Sequence, residues 1–210
     1  MSERVLISTF GFDPEKVLLA LRSIGYDRLA LIAGGKSLRG SGFRRLDAAE
    51  RASGGAIEVV PVDPFDFRSC FEGTLGAIRR FRKAGHDVRM NVSGGTKVLA
   101  DAALLAAFQE GVEAWHCEER PVRLPVLRGV AFSDSLNGVQ KAILASLERP
   151  QPVGRLTERL QSQRHSERGA QAAINRLREQ GLVTVTLRAG VAVVSVDPGV
   201  KWFVRALTVR

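Results

Sequence analysis

The seven residues Asn91-Val92-Ser93-Gly94-Gly95-Thr96-Lys97 concentrate most of the chemistry that the sequence offers: a side-chain amide, two hydroxyls, an ammonium and two glycines. Glycines at a strand-to-helix turn let the backbone approach a ligand, and the first free amides of a helix can receive a phosphate or another polar group. On spacing alone the same residues equally describe a tight turn whose glycines satisfy local geometry. Two further turns share this character, Ser8-Thr9-Phe10-Gly11-Phe12 and Gly34-Gly35-Lys36. Together they supply the hydroxyls of Ser8, Thr9, Ser93 and Thr96, the amide of Asn91, and the ammonium groups of Lys36 and Lys97. That set can hold phosphates and nucleobases but contains no general base at neutral pH, so no catalytic residue is expected. Neither GxxxxGK[ST] nor a GxGxxG after the first strand is present, which excludes a P-loop and a dinucleotide fingerprint. No metal-ligand cluster is visible, and neither a metal nor a cofactor is expected.

Alternating short strands and amphipathic helices must position these turns. Arg4 to Ser8 reads as a buried strand, and Asp13-Pro14 as the cap and first turn of a helix carrying Val17, Leu18, Leu21 and Ile24 on one face. Arg28 to Ala33 and Ile57 to Val62 read as further strands. Phe67, Phe71, Leu75, Ile78 and Phe81 recur at helical spacing, opposite a face of Arg79, Arg80, Arg82 and Lys83. Asp87 to Val92 is a fourth strand, followed by an alanine-rich helix from Val98 to Phe108. Val112 to Cys117 and Val122 to Leu127 close the region as a hairpin. This order predicts an α/β fold: a Rossmann-like, mainly parallel sheet sandwiched by helices, with ligands beyond the carboxyl ends of its strands.

Composition bounds the rest. A chain of 210 residues that is 45% hydrophobic can build one ordinary domain and a small second one. Cys70 and Cys117 lack any metal or redox spacing and read as core thiols. The start lacks the apolar length of a signal peptide and no run is long enough to span a bilayer, so a soluble, cytoplasmic protein with no membrane partner is expected. The net charge of +9 is uneven. Residues 1–130 hold 19 Lys and Arg against 16 Asp and Glu, while residues 131–210 hold 12 against 6. A basic small domain is the electrostatic footprint of nucleic-acid binding.

The C-terminal region supports that footprint. Ser133-Asp134-Ser135 reads as a hinge and cap for a helix bearing Leu136, Val139, Ile143, Leu144 and Leu147, which Pro150 and Pro152 stop. A short helix through Leu156 and Leu160 follows, then a third from a Ser166 cap to Gln180 with Gly181 as its stop. Two strands flank Arg188-Ala189-Gly190 as a hairpin. Three helices followed by a hairpin is the order of a small winged helix-turn-helix domain, placing a boundary between residues 1–132 and 133–210. Arg164, Ser166, Arg168, Gln171, Asn175, Arg178 and Arg188 are its candidate DNA contacts, and double-stranded DNA its expected partner. A protein-contact module remains the alternative for the same elements.

The turn Ser8 to Phe12, paired with Asn91 to Lys97, resembles the CARF (CRISPR-associated Rossmann fold) domain over residues 1 to about 130. With the winged helix, the chain resembles CRISPR-associated transcriptional regulators. The resemblance implies a homodimer whose two-fold axis passes through a pocket for a cyclic oligoadenylate, cyclic tetra-adenylate being the ring expected. It carries the ligand contacts to Ser8, Thr9, Phe10, Gly11, Phe12, Lys36, Asn91, Ser93, Gly94, Gly95, Thr96 and Lys97. Two enzyme alternatives stand beside the regulator. One is a ring nuclease that slowly cleaves the ligand; the other is a HEPN-type RNase using the R-x5-H pair Arg159 and His165, against which the strand periodicity that follows argues.

Overall fold

The computed structural model describes residues 2–208, without the side chains of residues 132 and 206–208. The chain divides into two compact units, Met1–Phe132 and Ser133–Arg210.

The first unit runs β1 (Arg4–Phe10), α1 (Glu15–Ser23), β2 (Arg28–Ala33), α2 (Gly35–Leu38), α3 (Ser41–Ala52), β3 (Ile57–Pro61), α4 (Phe67–Lys83), β4 (Asp87–Asn91), α5 (Lys97–Glu110), β5 (Glu113–Cys117) and β6 (Pro121–Arg123). Its six strands lie in the order β3-β2-β1-β4-β5-β6, all parallel except the β5–β6 pair. The expected α/β sandwich is therefore present. Side chains of opposite parity serve opposite faces. Leu6, Phe10, Leu29, Leu31 and Ala33 pack with Val17 and Ala20 of α1, Ile24 at its C-terminal cap and Leu46 of α3. Val5, Ile7, Ala30 and Ile32 are equally buried on the other parity, and α4 and α5 lie against β1 on this fold. β1 is two residues longer than the sequence suggests, because Thr9 and Phe10 continue the parallel ladder opposite Ile32 and Ala33. β6 is shorter than expected, stopping before Pro125, which has no amide proton to extend a ladder.

The second unit runs α6 (Gly138–Ser146), β7 (Gln151–Pro152), α7 (Val153–Ser162), α8 (Glu167–Glu179), β8 (Val183–Arg188), β9 (Val191–Val196) and α9 (Lys201–Thr208). The helices and sheet enclose a core that includes Ile143, Leu156, Leu160, Ala170, Ile174, Leu177 and Val194, with Val204 of α9 added to it. One expectation is corrected and one element was not foreseen. The cap of α6 is Asn137, whose side chain accepts from Gln140 N–H while the Gln140 side chain reaches back to the Asn137 amide; Phe132–Ser135 instead forms a separate 3-10 turn. The segment with Pro152 pairs with β9 as a two-residue edge strand, a position that tolerates the missing donor. Among the described residues no helix is long and apolar enough to cross a membrane.

Candidate functional site

The strand sequence turns direction between β1 and β4, which lie side by side with Ser8 opposite Asn91. The turns that leave these two strands therefore start from neighbouring points at the carboxyl edge of the sheet, the place where open α/β sheets bind ligands.

A buried polar network joins them. Asn91 Nδ2 donates to Ser8 Oγ at 2.9 Å and to Lys16 O at 3.2 Å, while Asn91 Oδ1 accepts from Ser93 Oγ at 2.5 Å. Gly94 N–H donates to Thr9 Oγ1 at 3.0 Å. Cys117 N–H donates to Ser93 Oγ, tying the β4 turn to β5. Thr96 caps α5 by accepting from Leu99 N–H at 3.1 Å, and its hydroxyl proton goes to Pro64 O in the β3–α4 loop. The polar side chains of Ser8, Thr9, Asn91, Ser93 and Thr96 all have partners, as burial demands.

Above the floor lies a cavity of about 760 Å³. Its wall is built from four loops: Phe10, Gly11, Phe12 and Asp13 after β1; Gly34, Gly35, Lys36 and Ser37 after β2; Asp63, Pro64 and Phe65 after β3; and Ser93, Gly94, Gly95 and Thr96 after β4, with Lys16 of α1 between them. Lys16 donates to Glu118 at 2.6 Å, and this bond, with a smaller one from His116, holds the Glu118 carboxyl below its usual range. Lys36 forms no ion pair among the described residues and is exposed on the wall. Asp13 Oδ1 accepts from Glu15 N–H at 2.9 Å at the start of α1.

Of the sequence-predicted ligand contacts, the structure gathers Phe10, Gly11, Phe12, Lys36, Ser93, Gly94, Gly95 and Thr96 on the wall. Ser8, Thr9 and Asn91 are wholly buried and outside the cavity wall, because the sheet's last rungs and the hydrogen-bond network claim them. Lys97 is exposed at the first residue of α5 but outside the cavity wall. Sequence reasoning missed Asp13, Lys16, Ser37, Asp63, Pro64 and Phe65. The carboxyl-edge rule applied to the third strand as well would have found the last three.

The thiols do not enter this chemistry. Cys70 and Cys117 are both free and buried, and burial pushes each up to about 11, so neither is a nucleophile near neutral pH. Among the described residues no group of three or more His, Cys, Asp and Glu side chains converges on one point.

In the second unit, α8 buries Ala170, Ala173, Ile174 and Leu177 and leaves Arg168, Gln171, Asn175 and Arg178 exposed on one side. Ser166 caps it, accepting from Gly169 N–H at 3.1 Å. Arg164 sits in the α7–α8 turn at φ 68°, and Arg188 stands exposed beside the Ala189-Gly190 tip of the β8–β9 hairpin, where both residues have positive φ. Arg159 lies on α7 and His165 in the following turn, in a unit that contains a three-stranded sheet.

A family model described as "HFX_2341_N:-like, N-terminal" matches residues 4–120. No curated protein matches the chain. Among solved structures, the fold is similar to Can2 from Sulfobacillus thermosulfidooxidans in complex with cyclic tetra-adenylate, with 15% identity over 97% of this chain and 61% of that one, at a TM-score of 0.50. It is also similar to a type III CRISPR defence DNA nuclease activated by cyclic oligoadenylate, with 16% identity over 100% of this chain and 33% of that one, at a TM-score of 0.52. This chain thus spans less than two thirds of the first and about a third of the second.

Proposed function

The chain belongs to the HFX_2341_N-like N-terminal family, and from that premise we propose that it is a CRISPR-associated transcriptional regulator that binds a cyclic oligoadenylate in its first unit and DNA through its second. The observation that carries this reading is the cavity of about 760 Å³ at the strand-order switch, walled by backbone-rich turns and Lys36. Those groups suit a ring of phosphates and bases. The two similar solved proteins are described as bound to, or activated by, ligands of this class.

The first unit acts as a CARF-like sensor in a homodimer. A ring with an even number of nucleotides shares the two-fold symmetry of an isologous dimer, so each subunit binds half of it. The second unit acts as a winged helix-turn-helix. Its α8 presents Arg168, Gln171 and Asn175, which suit base edges, and Arg178, Arg164 and Arg188 meet phosphates. Ligand binding across the axis changes the spacing of the two winged helices and so their fit to two half-sites.

The floor network holds no free general base, which favours binding over cleavage. The R-x5-H pair gains no support, because the unit that holds it carries a sheet rather than the all-helical frame such a nuclease needs. Calorimetric titration with cyclic tetra- and hexa-adenylate tests the sensor, with the wall variant Lys36→Ala as comparison. The reading predicts wild-type binding that Lys36→Ala weakens; no wild-type binding would sink it. Gel shifts with promoter DNA at several salt concentrations test the second unit, and absence of affinity at low salt would point to a protein-contact module. Chromatography of the ring after long incubation separates sensor from ring nuclease.

A further inference from the structure

The β3–α4 loop, residues 62–66, is held from several sides. Val62 N–H donates to Ala33 O at 3.0 Å, Asp63 N–H donates to Ser69 Oγ at 3.0 Å, and Pro64 O accepts from Thr96 Oγ1. The Pro64 ring lies so close over Gly34 that a Cβ there would meet its Cγ at 2.7 Å. A loop so fixed has little freedom to bury its own side chains by rearranging. It nevertheless holds Phe65 on the cavity wall at 77% exposure, while Phe12 on the turn after β1 is 69% exposed on the same cavity. A phenylalanine held in water forgoes the burial that folding usually provides, and the flat face of a base recovers it.

The cavity wall carries both signs of charge, the ammonium groups of Lys16 and Lys36 and the carboxylates of Asp13 and Asp63. Asp63 Oδ1 accepts from Phe65 N–H at 3.1 Å, and its Oδ2 has no hydrogen-bond partner among the described residues. A carboxylate repels phosphate, so the group that Asp63 receives is a neutral hydrogen-bond donor, while the ammonium of Lys36 suits a phosphate. We propose that this loop is the base-reading element of the cavity: the Phe65 ring stacks on an adenine, and Asp63 Oδ2 accepts a hydrogen bond from its exocyclic amine. The inference rests on the cyclic oligoadenylate reading given above. A guanine in the same pose presents a carbonyl oxygen where adenine has its amine, and would meet Asp63 acceptor to acceptor, so in that pose the pair disfavours guanine rings.

The test is calorimetric titration of the full chain with cyclic tetra-adenylate and cyclic tetra-guanylate. Wild type is compared with Phe65→Ala, Phe65→Tyr and Asp63→Asn, each checked by thermal melting and sedimentation velocity. Phe65→Ala is expected to weaken adenylate binding about 5- to 150-fold, the range of one lost base stack, and Phe65→Tyr to restore it. Asp63→Asn, whose amide can donate to a guanine carbonyl, is expected to cut the preference for adenylate over guanylate about tenfold or more. If wild type binds no adenylate ring, the functional reading fails and this inference with it. If wild type binds and the variants match it in affinity and preference, the base-reading assignment alone is overturned. Lost binding in Phe65→Ala together with dissociation of a dimer would assign the ring to a subunit contact, which also overturns it.

Discussion

Gly11 and Gly95 meet backbone against backbone: a Cβ on Gly11 would stand 2.9 Å from Gly95 Cα and 3.0 Å from Gly95 N. The turns after β1 and β4 are thus a single construction. Glycines that a sequence reading assigns to ligand approach are required first by each other. Gly94 repeats the theme, since a Cβ there would lie 2.3 Å from Thr9 O. Gly11→Ala must therefore push two backbones apart and is expected to cost about 1–3 kcal/mol in urea denaturation, the range for overpacking. Gly76, inside α4 with open space where its Cβ would be, is the control. Gly76→Ala is expected to stabilise by roughly 0.5–1 kcal/mol through helix propensity.

Asn91 is wholly buried and spends its amide on both Ser8 Oγ and Lys16 O. Asn91→Ala leaves buried groups unpaired and is expected to cost about 1–3 kcal/mol. The double variant Ser8→Ala with Asn91→Ala should lose less than the sum of the two single losses, because they share one bond. Urea midpoints of the four proteins give the answer, and strict additivity would show that the network does not act as a unit.

Lys36 is exposed on the cavity wall, so its removal changes the site and not the core. Lys36→Ala is expected to leave the melting temperature unchanged while weakening cyclic tetra-adenylate about tenfold, the cost of one charge-assisted bond. Its binding should also depend less on salt than the wild type's. Calorimetry at two ionic strengths reads both effects.

On α8 the exposed residues should separate by role. Arg178→Ala is expected to weaken DNA binding uniformly across sequences and to reduce the salt slope by about 1, whereas Asn175→Ala costs about 1–3 kcal/mol at one base position only. Competition gel shifts with single-base operator variants distinguish these outcomes. Equal, sequence-independent losses would show that α8 does not read bases.

Tyr26 donates to Glu50 Oε2 at 2.9 Å, and burial, followed by that bond and the Glu50 charge, pushes the phenol up to about 12 from its ordinary 10. The folded chain holds this proton more tightly than the unfolded one. The stability it contributes is fully present below about pH 10 and is lost as pH rises through about 12. Tyr26 is the single tyrosine of the sequence, so phenolate absorbance reports it alone. A folded midpoint near 12 that drops toward 10 in denaturant is expected, and Tyr26→Phe should flatten the alkaline loss of stability.

Local chemistry made much of this protein legible. The alternation of strand and helix, the Ser166 cap of α8 and the glycine tip of the second unit's hairpin depend on neighbours within a few residues, and a sequence displays such neighbours directly. The β7 strand was not legible, because two residues acquire strand character only by pairing with β9, about forty positions away.

The site divides along the same line. By itself the sequence determined which turns carry glycine, hydroxyl and lysine. Only the tertiary structure decided depth and company. It sank Ser8, Thr9 and Asn91 beneath the surface, set Gly11 against Gly95, and brought Asp63 and Phe65 to the wall from a loop with no glycine to mark it. Strand order is a long-range property, and a side chain's exposure depends on which strands lie beside it.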